Sequence, residues 1–564
     1  MTTTYKAAFA TEAEMDTAID DLTAGAQRWS VMGLPERITL LQRTRRTIAD
    51  NAGAWVDAAT AAKGIPDGPL EGEEWMSGPY ATLSGFAAVI DSLSKIADGK
   101  SPASGLKSRT AHGDRTAFTM LPGDAFEYNL FNGFKGELWL KPGISADEAR
   151  RTAGLGAKRL RENGGVGLVL GAGNISAIGP LDVLYELIAY NRVSVLKLNP
   201  TFAGLTDAYT AAFAPLINAG LLRIVNGAAQ VGQYLTAHPG IGHVHITGSG
   251  VTHDMIVWGS LTDKEGEPQL DKPITSELGG VSPIIVVPGQ WDDDDLRFQA
   301  EHVATQRFHN CGHNCIGGQA LIISADWPQK QQFLAELRRV IAALPARTSW
   351  YPGTDKKIAN VESAYPDAER LGGRILLKVD ESTSQEALTT EYFGPVLAHT
   401  ELPGEGIDFL RAAIEFSNDK LDGTLGASMI VAPADRKAMG AKFEEAITGL
   451  RYGTIGINVW SAIGFLVPTL SWGAYPGNTL HDVGSGIGIV HNSHLLEDVE
   501  RSVITGPFRP FPRSVSGGEM ALSPKPAWFV TAKSAKGVAQ RLTRFAAKPS
   551  WGKLPGIFNQ AFRA

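Results

Sequence analysis

Cysteine is nearly absent: 564 residues contain two, Cys311 and Cys315, too few for a disulfide framework. No apolar run reaches the ~18 residues that a membrane-crossing helix needs. The longest candidate, Ile455 to Leu470, is shorter and is interrupted by Asn458 and Pro468. The opening MTTTYKAAFATEAEMD has neither a basic head nor a continuous apolar stretch, so no secretory signal is expected. Internal repeats and low-complexity segments are also missing. With 43% hydrophobic and 20% charged residues, a disordered or collagen-like chain is excluded. At ~150 residues per domain the length predicts three or four domains. A soluble, cytoplasmic protein is expected.

The net charge of −7 is small but unevenly spread. Residues 505–564 hold ten Lys or Arg against one acid, Glu519, a balance of +9 that leaves −16 on the rest. A basic tail on an acidic body can dock on its own or a neighbouring subunit, or on an anionic surface. Self-docking is the expectation, with Trp528, Phe529 and Trp551 buried against the body or a neighbour. The amphipathic stretch AKSAKGVAQRLTRFA places Val538, Leu542 and Phe545 at helical spacing, a narrow apolar face for membrane contact. Neither charge balance points to nucleic acid.

The first ~100 residues read as helical, from apolar residues three and four apart in stretches such as ERITLLQRTRRTIADNAGAWVDAATAAKG. ELWLK, Glu137 to Lys141, reads as a short strand. From Gly165 short apolar runs alternate with helical stretches. VGLVL, VSVLK, LRIVN, HVHIT and PIIVV are candidate strands, and SAIGPLDVLYELIAYN is a candidate helix. This repeat argues for βαβ units and a parallel sheet, which binds ligands at the carboxyl ends of its strands. A second α/β region is expected from Pro283, with strands ALIIS and ASMIVA.

Both cysteines fall in Arg307-Phe-His-Asn-Cys311-Gly-His-Asn-Cys315-Ile-Gly-Gly, at a helix-to-strand junction. A thiol beside glycines can be exposed and activated, although one near pKa ~8.5 is only slightly ionised at neutral pH. Buried cysteine as a small hydrophobe competes with that reading. So does a metal site: an extended chain would put His309, Cys311, His313 and Cys315 on one face. That spacing does not match the usual two close pairs of zinc ligands, so no metal is expected. Val166-Gly-Leu-Val-Leu-Gly-Ala-Gly-Asn174-Ile-Ser places a Gly-X-Gly turn between a strand and a helix. It departs from the dinucleotide fingerprint, with Ser176 for the third glycine and no acid ~20 residues on. Asn174 could donate to an oxyanion or cap a helix. Thr247-Gly248-Ser249-Gly250 could hold a phosphate on free N–H groups. Glu277, beside Gly279-Gly280 and ahead of PIIVV, is either a general base or a solvated loop carboxylate.

In this order the motifs resemble the aldehyde dehydrogenase superfamily, over roughly residues 20 to 490. Asn174, Lys197, Thr247-Gly248-Ser249, Glu277-Leu278-Gly279-Gly280, Cys315, Glu391-Tyr392-Phe393-Gly394-Pro395 and Asn458 carry the likeness, with a spacing of 38 from Glu277 to Cys315. The resemblance implies an α/β fold: a modified Rossmann cofactor domain, a second α/β catalytic domain and a small oligomerisation element. It divides the chain into a dinucleotide-binding domain at 1–130 and 160–280, an oligomerisation arm at 131–159, and a catalytic domain at 281–480. Residues 481–564 form a C-terminal oligomerisation segment and basic extension, found otherwise in a longer-chain subgroup.

By position, the resemblance implies that Cys315 is the nucleophile, that Asn174 and the Cys315 N–H hold the oxyanion, and that Glu277 activates the hydrolytic water. Lys197 would bind the adenine-side ribose, Gly248 and Ser249 would lie near the pyrophosphate, and Glu391 with Phe393 would hold the nicotinamide ribose. Departures are His313 for the usual Gln, Gly173 for a frequent Trp, and Pro468-Thr-Leu-Ser-Trp472-Gly473 near the substrate entrance. Gly250-Val251-Thr252-His253 also differs from the common phosphate-loop continuation. Pro200 stands where many NAD-preferring relatives carry Glu, so NAD and NADP both fit. The implied activity is oxidation of a small aldehyde to a carboxylic acid, in a homodimer or homotetramer. A CoA-acylating relative and a catalytically inactive binding protein are the alternatives.

Overall fold

A computed structural model describes residues 10–563. Met1 to Phe9, the head of the stretch searched for a secretory signal, lie outside the described residues. Helix Glu12–Val31 starts at a capping box, with the Thr11 N–H donating to Glu14 (2.8 Å) and the Glu14 N–H donating to the Thr11 hydroxyl (3.3 Å). Together with Leu34–Asp50, Ala52–Lys63 and Ala81–Ala97 it supplies one layer of a core around Trp29, Leu41, Trp55 and Phe86.

That layer packs on a six-stranded sheet. From one edge the strands are Gly486–Ile487, Ile274–Leu278, His243–Gly248, Val166–Leu170, Val193–Leu198 and Leu222–Asn226, all parallel except the first. Both faces are covered, which is why Val166–Leu170 and Val193–Leu198 are nearly continuous apolar runs; His243–Gly248 and Ile274–Leu278 interrupt theirs with His245, Ser276 and Glu277. Helix Ile178–Ala189 is buried along its whole length. The chain steps outward twice from Val166–Leu170, then crosses to its other side for His243–Gly248. Their carboxyl ends therefore form a switch point, the place where such sheets open a ligand crevice.

A second sheet has eleven strands. Seven run parallel: Val499–Thr505, Thr454–Ile457, Gly426–Ile430, Ser282–Val286, Gly318–Ser324, Val396–Leu402 and Arg374–Lys378. Lys135–Leu140, Arg115–Leu121 and Ser108–Ala111 extend one edge antiparallel, and Glu369–Leu371 closes the other. The predicted strand ELWLK thus pairs within its own chain, with Val499–Thr505 on one side and Arg115–Leu121 on the other. Glu277 corrects the loop reading: it lies in strand Ile274–Leu278 of the first sheet. Gly279 and Gly280 then carry the chain into the second.

The basic tail docks on its own body. Phe508 is buried against Trp291 (5.4 Å between rings), and Arg509 donates twice to Asp295, at 2.8 and 2.6 Å. Lys525 reaches Glu301 at 3.0 Å, and Lys536 reaches Asp67 at 2.5 Å and Glu71 at 2.8 Å. Helix Ala535–Ala547 inserts Val538, Leu542 and Phe545 into the core of the N-terminal helices. Phe529 is buried as expected, Trp528 is half-buried, and Trp551 departs from expectation: it is 57% exposed, with Phe126 beside it at 4.5 Å. Among the described residues no helix is long and apolar enough to cross a membrane.

Candidate active site

The two sheets meet at the loop that follows helix Asp293–Phe308. Asn310, Cys311 and Gly312 take left-handed backbone angles, with φ of 53°, 57° and 79°. This reversal delivers Cys315 to the junction just ahead of strand Gly318–Ser324. Gly312 is required twice over, since a Cβ there would collide with the Gly394 carbonyl. The turned chain does not place His309, Cys311, His313 and Cys315 on a common face. Among the described residues no three His, Cys, Asp or Glu side chains gather as a metal-binding group. Cys311 is 5% exposed, and burial pushes its thiol up from the ordinary range. Cys315 is half-buried.

Asn310 braces the loop, its Nδ2 donating to the carbonyls of Asn174 (3.1 Å) and His313 (3.0 Å). Beneath it lies a charged network in which Lys63 donates to Asn310 Oδ1 (3.1 Å) and to Glu74 (2.6 Å). The Asn310 N–H and Arg347 both donate to Glu73, at 3.2 and 2.7 Å. Arg307 ties the same loop to the carbonyls of Gly317 and Gly394. The sequence reading missed these residues. Asn310 opens the Asn-X-Gly-X-X-Cys pattern, a signal that could have found it; nothing linear separates Lys63, Glu73 or Glu74 from surface charges.

Asn174 follows strand Val166–Leu170 and donates through Nδ2 to the His313 carbonyl at 3.0 Å. Helix Ile178–Ala189 begins beyond its reach, so it does not cap that helix. One amide hydrogen remains free. Glu277 is buried on its strand, and its Oε1 has no hydrogen-bond partner. Burial raises this carboxyl to about 7; the adjacent Cys315 thiol lowers it and the Asp182 charge raises it further. Burial and then the Glu277 charge push the Cys315 thiol well above its usual range. Acid and thiol therefore share their protons as a coupled pair.

Behind Glu277 lies a second polar cluster that the sequence reading missed. His491 Nε2 is 3.1 Å from Asp182 Oδ1, and His245 Nε2 is 3.5 Å from Asp182 Oδ2. Burial opposes charge there, but the attraction between Asp182 and the two histidines overrides it, holding Asp182 low and His245 high. Asn458 does not reach the site. Its side chain clamps the Val431 backbone, accepting at 2.8 Å and donating at 2.9 Å.

Cys315 and Asn174 sit where a long cleft of about 2580 Å³, open mouth included, crosses the switch point. Lys197, Gly248, Ser249, Glu391 and Phe393 line the same cleft, so it gathers all five residues expected at a cofactor. Burial lowers Lys197 to about 8. Ser249 caps helix Gly250–Val257, its hydroxyl accepting from the Thr252 N–H at 3.2 Å. Glu391 is held by Gln319, which donates to Thr390 (2.8 Å) and accepts from Tyr392 (2.9 Å). Its Oε1 is shut off from solvent without a partner, and burial raises the carboxyl to about 7. Gly279 leaves room for that carboxylate, since a Cβ would overlap it. An orphaned acceptor on a residue that lines a cleft of this size fits the hydroxyl groups of a ribose. Pro200 opens a short 3-10 turn, Pro200–Leu205, and brings no carboxylate to Lys197.

On its other side Cys315 faces an apolar cavity, walled by Trp460, Phe465 and Trp472 among others. The thiol is thus the point at which the cleft and the cavity join.

The model for the aldehyde dehydrogenase family matches residues 157–469. Similar solved structures include a gamma-glutamyl-gamma-aminobutyraldehyde dehydrogenase from Burkholderia cenocepacia, at 18% identity and a TM-score of 0.59, covering 88% of this chain and 89% of that one. An indole-3-acetaldehyde dehydrogenase in complex with NAD+ matches at 17% identity and a TM-score of 0.59, over 88% and 90% of the two chains. An NADP-dependent glyceraldehyde-3-phosphate dehydrogenase from Bacillus halodurans, in complex with NADP, gives 18% and 0.57, over 88% and 91%.

Proposed function

The chain belongs to the aldehyde dehydrogenase family, and on that premise we propose that it oxidises an aldehyde to a carboxylic acid with NAD or NADP, Cys315 being the nucleophile. One observation carries the assignment of the residues. Cys315 is the one residue, among the described residues, that lines both the dinucleotide-sized cleft and the apolar cavity, with Asn174 and Glu277 beside it.

The Cys315 sulfur bonds to the aldehyde carbon, and its proton passes to Glu277. The carbonyl oxygen becomes an oxyanion, held by the free Asn174 amide hydrogen and the Cys315 N–H. Lys197, Gly248, Ser249, Glu391 and Phe393 would hold the cofactor, which would supply the hydride acceptor for oxidation of the adduct to a thioester. Glu277 releases the thiol's proton to solvent and, ionised again, removes a proton from water, whose oxygen attacks the thioester carbon. The carbon–sulfur bond breaks, releasing the acid, and the leaving thiolate takes the proton back from Glu277. His313 stays neutral, because burial lowers it to about 3, so it supplies no charge to hold a thiolate. Residues 1–130 with 160–280 are the dinucleotide-binding part of this reading, and 281–480 the catalytic part. A cytoplasmic homodimer or homotetramer belongs to the same proposal, and sedimentation velocity tests the assembly.

The test is cofactor reduction with a panel of aldehydes and NAD or NADP, with Cys315→Ser, Cys311→Ser and Glu277→Gln beside wild type. Reduction without CoA, abolished in Cys315→Ser and kept in Cys311→Ser, is expected. Glu277→Gln should still give a burst of one reduced cofactor per subunit, slower than in wild type because the thiol proton must pass to water, and then slow turnover. Turnover that requires CoA would replace hydrolysis by acyl transfer and overturn the role of Glu277.

A further inference from the structure

The cavity on the far side of Cys315 is not built by the dehydrogenase body alone. Its empty space, about 850 Å³ with the mouth included, is bounded on one side by Trp460, Phe465 and Trp472, and on the other by Trp528, Phe529 and Val530 of the C-terminal tail. These tail residues lie beyond the stretch matched by the family model, which ends at 469. The tail wall is firmly held. Phe529 stacks on Phe298 (5.2 Å) and His302 (5.4 Å), and the Val530 N–H donates to Thr305 at 3.2 Å. Trp528 meets Phe134 edge-on at 5.8 Å. Lys525 and Lys536 fix the two flanks to Glu301, Asp67 and Glu71.

The lining carries little charge. Among its described residues there is no Lys or Arg, and Glu73 is the one carboxylate. Glu73 is already engaged by Arg347 and by the Asn310 N–H. His309, also on the lining, is held below its usual range, chiefly by burial, and so is neutral at pH 7. A phosphate or carboxylate on the substrate would find no counter-charge there and would lose its water without compensation. An apolar body would be enclosed by aromatic faces, which bind through buried area.

We propose that the tail segment 527–535 is the specificity wall of the aldehyde site, and that the site takes uncharged aldehydes with an extended apolar or aryl body. This rests on the reading of Cys315 as the nucleophile of an aldehyde oxidation. Trp528 is then a specificity-determining residue. It presents a broad ring to the substrate body at a distance from the reacting carbon, so it acts on the fit of the substrate and not on the chemical step.

The experiment compares full-length wild type with Trp528→Ala, Trp528→Phe and Ala527→Phe. Each is tested on propanal, octanal, phenylacetaldehyde, succinic semialdehyde and glyceraldehyde 3-phosphate, with circular dichroism and thermal melting as controls of folding. For wild type, kcat/KM for octanal and phenylacetaldehyde should exceed that for the two anionic aldehydes by at least about 100-fold. Trp528→Ala should raise KM for the two apolar aldehydes about tenfold with kcat nearly unchanged, and leave propanal, too short to reach the wall, unaffected. Trp528→Phe should recover most of the loss. Ala527→Phe narrows the cavity from a half-buried position and should disfavour phenylacetaldehyde relative to propanal. Anionic aldehydes turned over as well as apolar ones, or a Trp528→Ala enzyme that folds and treats the panel as wild type does, would overturn the inference while propanal oxidation upheld the dehydrogenase reading. Failure of every aldehyde, propanal included, would instead remove the reading on which it rests.

Discussion

Glu277 sets stability against chemistry in a single side chain. A carboxyl raised to about 7 by burial keeps its proton in the folded protein at pH values where the unfolded chain, near 4.5, has lost it. The folded state therefore binds more protons between those values, and stability falls as pH rises through this window. The difference corresponds to roughly 3 kcal/mol when both states are ionised. Glu277→Gln cannot ionise and escapes this cost. Its melting temperature should gain on wild type as pH goes from 5 to 8, and an offset that stays constant with pH would refute the argument. Function has the opposite requirement, because only the ionised carboxylate can take a proton from water. Thioester hydrolysis, followed in single-turnover experiments, should rise with pH through about 7 and level off above it. A flat profile would assign the base elsewhere.

The cysteine loop shows how an element is specified by residues that a linear pattern undervalues. Three consecutive left-handed residues cost backbone energy, at ~1–2 kcal/mol for each that is not glycine. Here Asn310 and Cys311 bear that cost and Gly312 does not. The Lys63, Glu73, Glu74 and Arg347 network stabilises the turn from below. Gly312→Ala should then cost about 2–4 kcal/mol, since it adds both a disfavoured φ and a collision with the Gly394 carbonyl. Because Gly394 belongs to the loop that carries Glu391 and Phe393, cofactor affinity should fall in the same variant. Denaturant unfolding and cofactor titration check the two together; normal cofactor affinity in a destabilised variant would separate the loops. The pattern around Cys315 was legible, since its nucleophile, glycine and asparagine are local in sequence. Strand Ile274–Leu278 was not, because its outgoing residues, Ser276-Glu277, read as polar loop when the partner strand that buries them is unknown. Asp182, His245 and His491 come from distant segments, and only the fold brings them together.

At the scale of the whole molecule, the parallel strands that read as apolar runs, such as Val166–Leu170, Val193–Leu198, Ser282–Val286 and Gly318–Ser324, were legible, whereas Ile274–Leu278, Arg374–Lys378, Val396–Leu402, Thr454–Ile457 and Val499–Thr505 were not. The edge strand Ser108–Ala111 was missed because it is short, exposed and polar; its neighbour Arg115–Leu121 was missed although it buries Ala117, Phe118, Met120 and Leu121, because Arg115, Thr116 and Thr119 break up its apolar run. The tail was legible as a charge imbalance, and its docking follows from pairing that charge. Asp295 is the keystone: its side chain is fully buried, and its acceptors are taken by Arg509 at 2.8 and 2.6 Å and by Arg513 at 2.7 Å. Removing one partner strands part of a buried negative charge, a change that costs about 3–5 kcal/mol when no other cation compensates. Arg513 does compensate in part, so Arg509→Ala should cost about 2 kcal/mol, and Arg509→Ala with Arg513→Ala clearly more than the sum of the two. Replacing Asp295 by Asn should relieve much of the double variant's loss, because the orphaned charge, not the missing contact, is what destabilises it. These variants leave the residues around Cys315 intact, yet they loosen the wall formed by 527–535. Limited proteolysis should therefore cut the tail sooner, and KM for long apolar aldehydes should rise while KM for propanal holds. If the tail is released and KM for long aldehydes does not move, anchoring of the tail and recognition of the substrate are separate properties of the molecule.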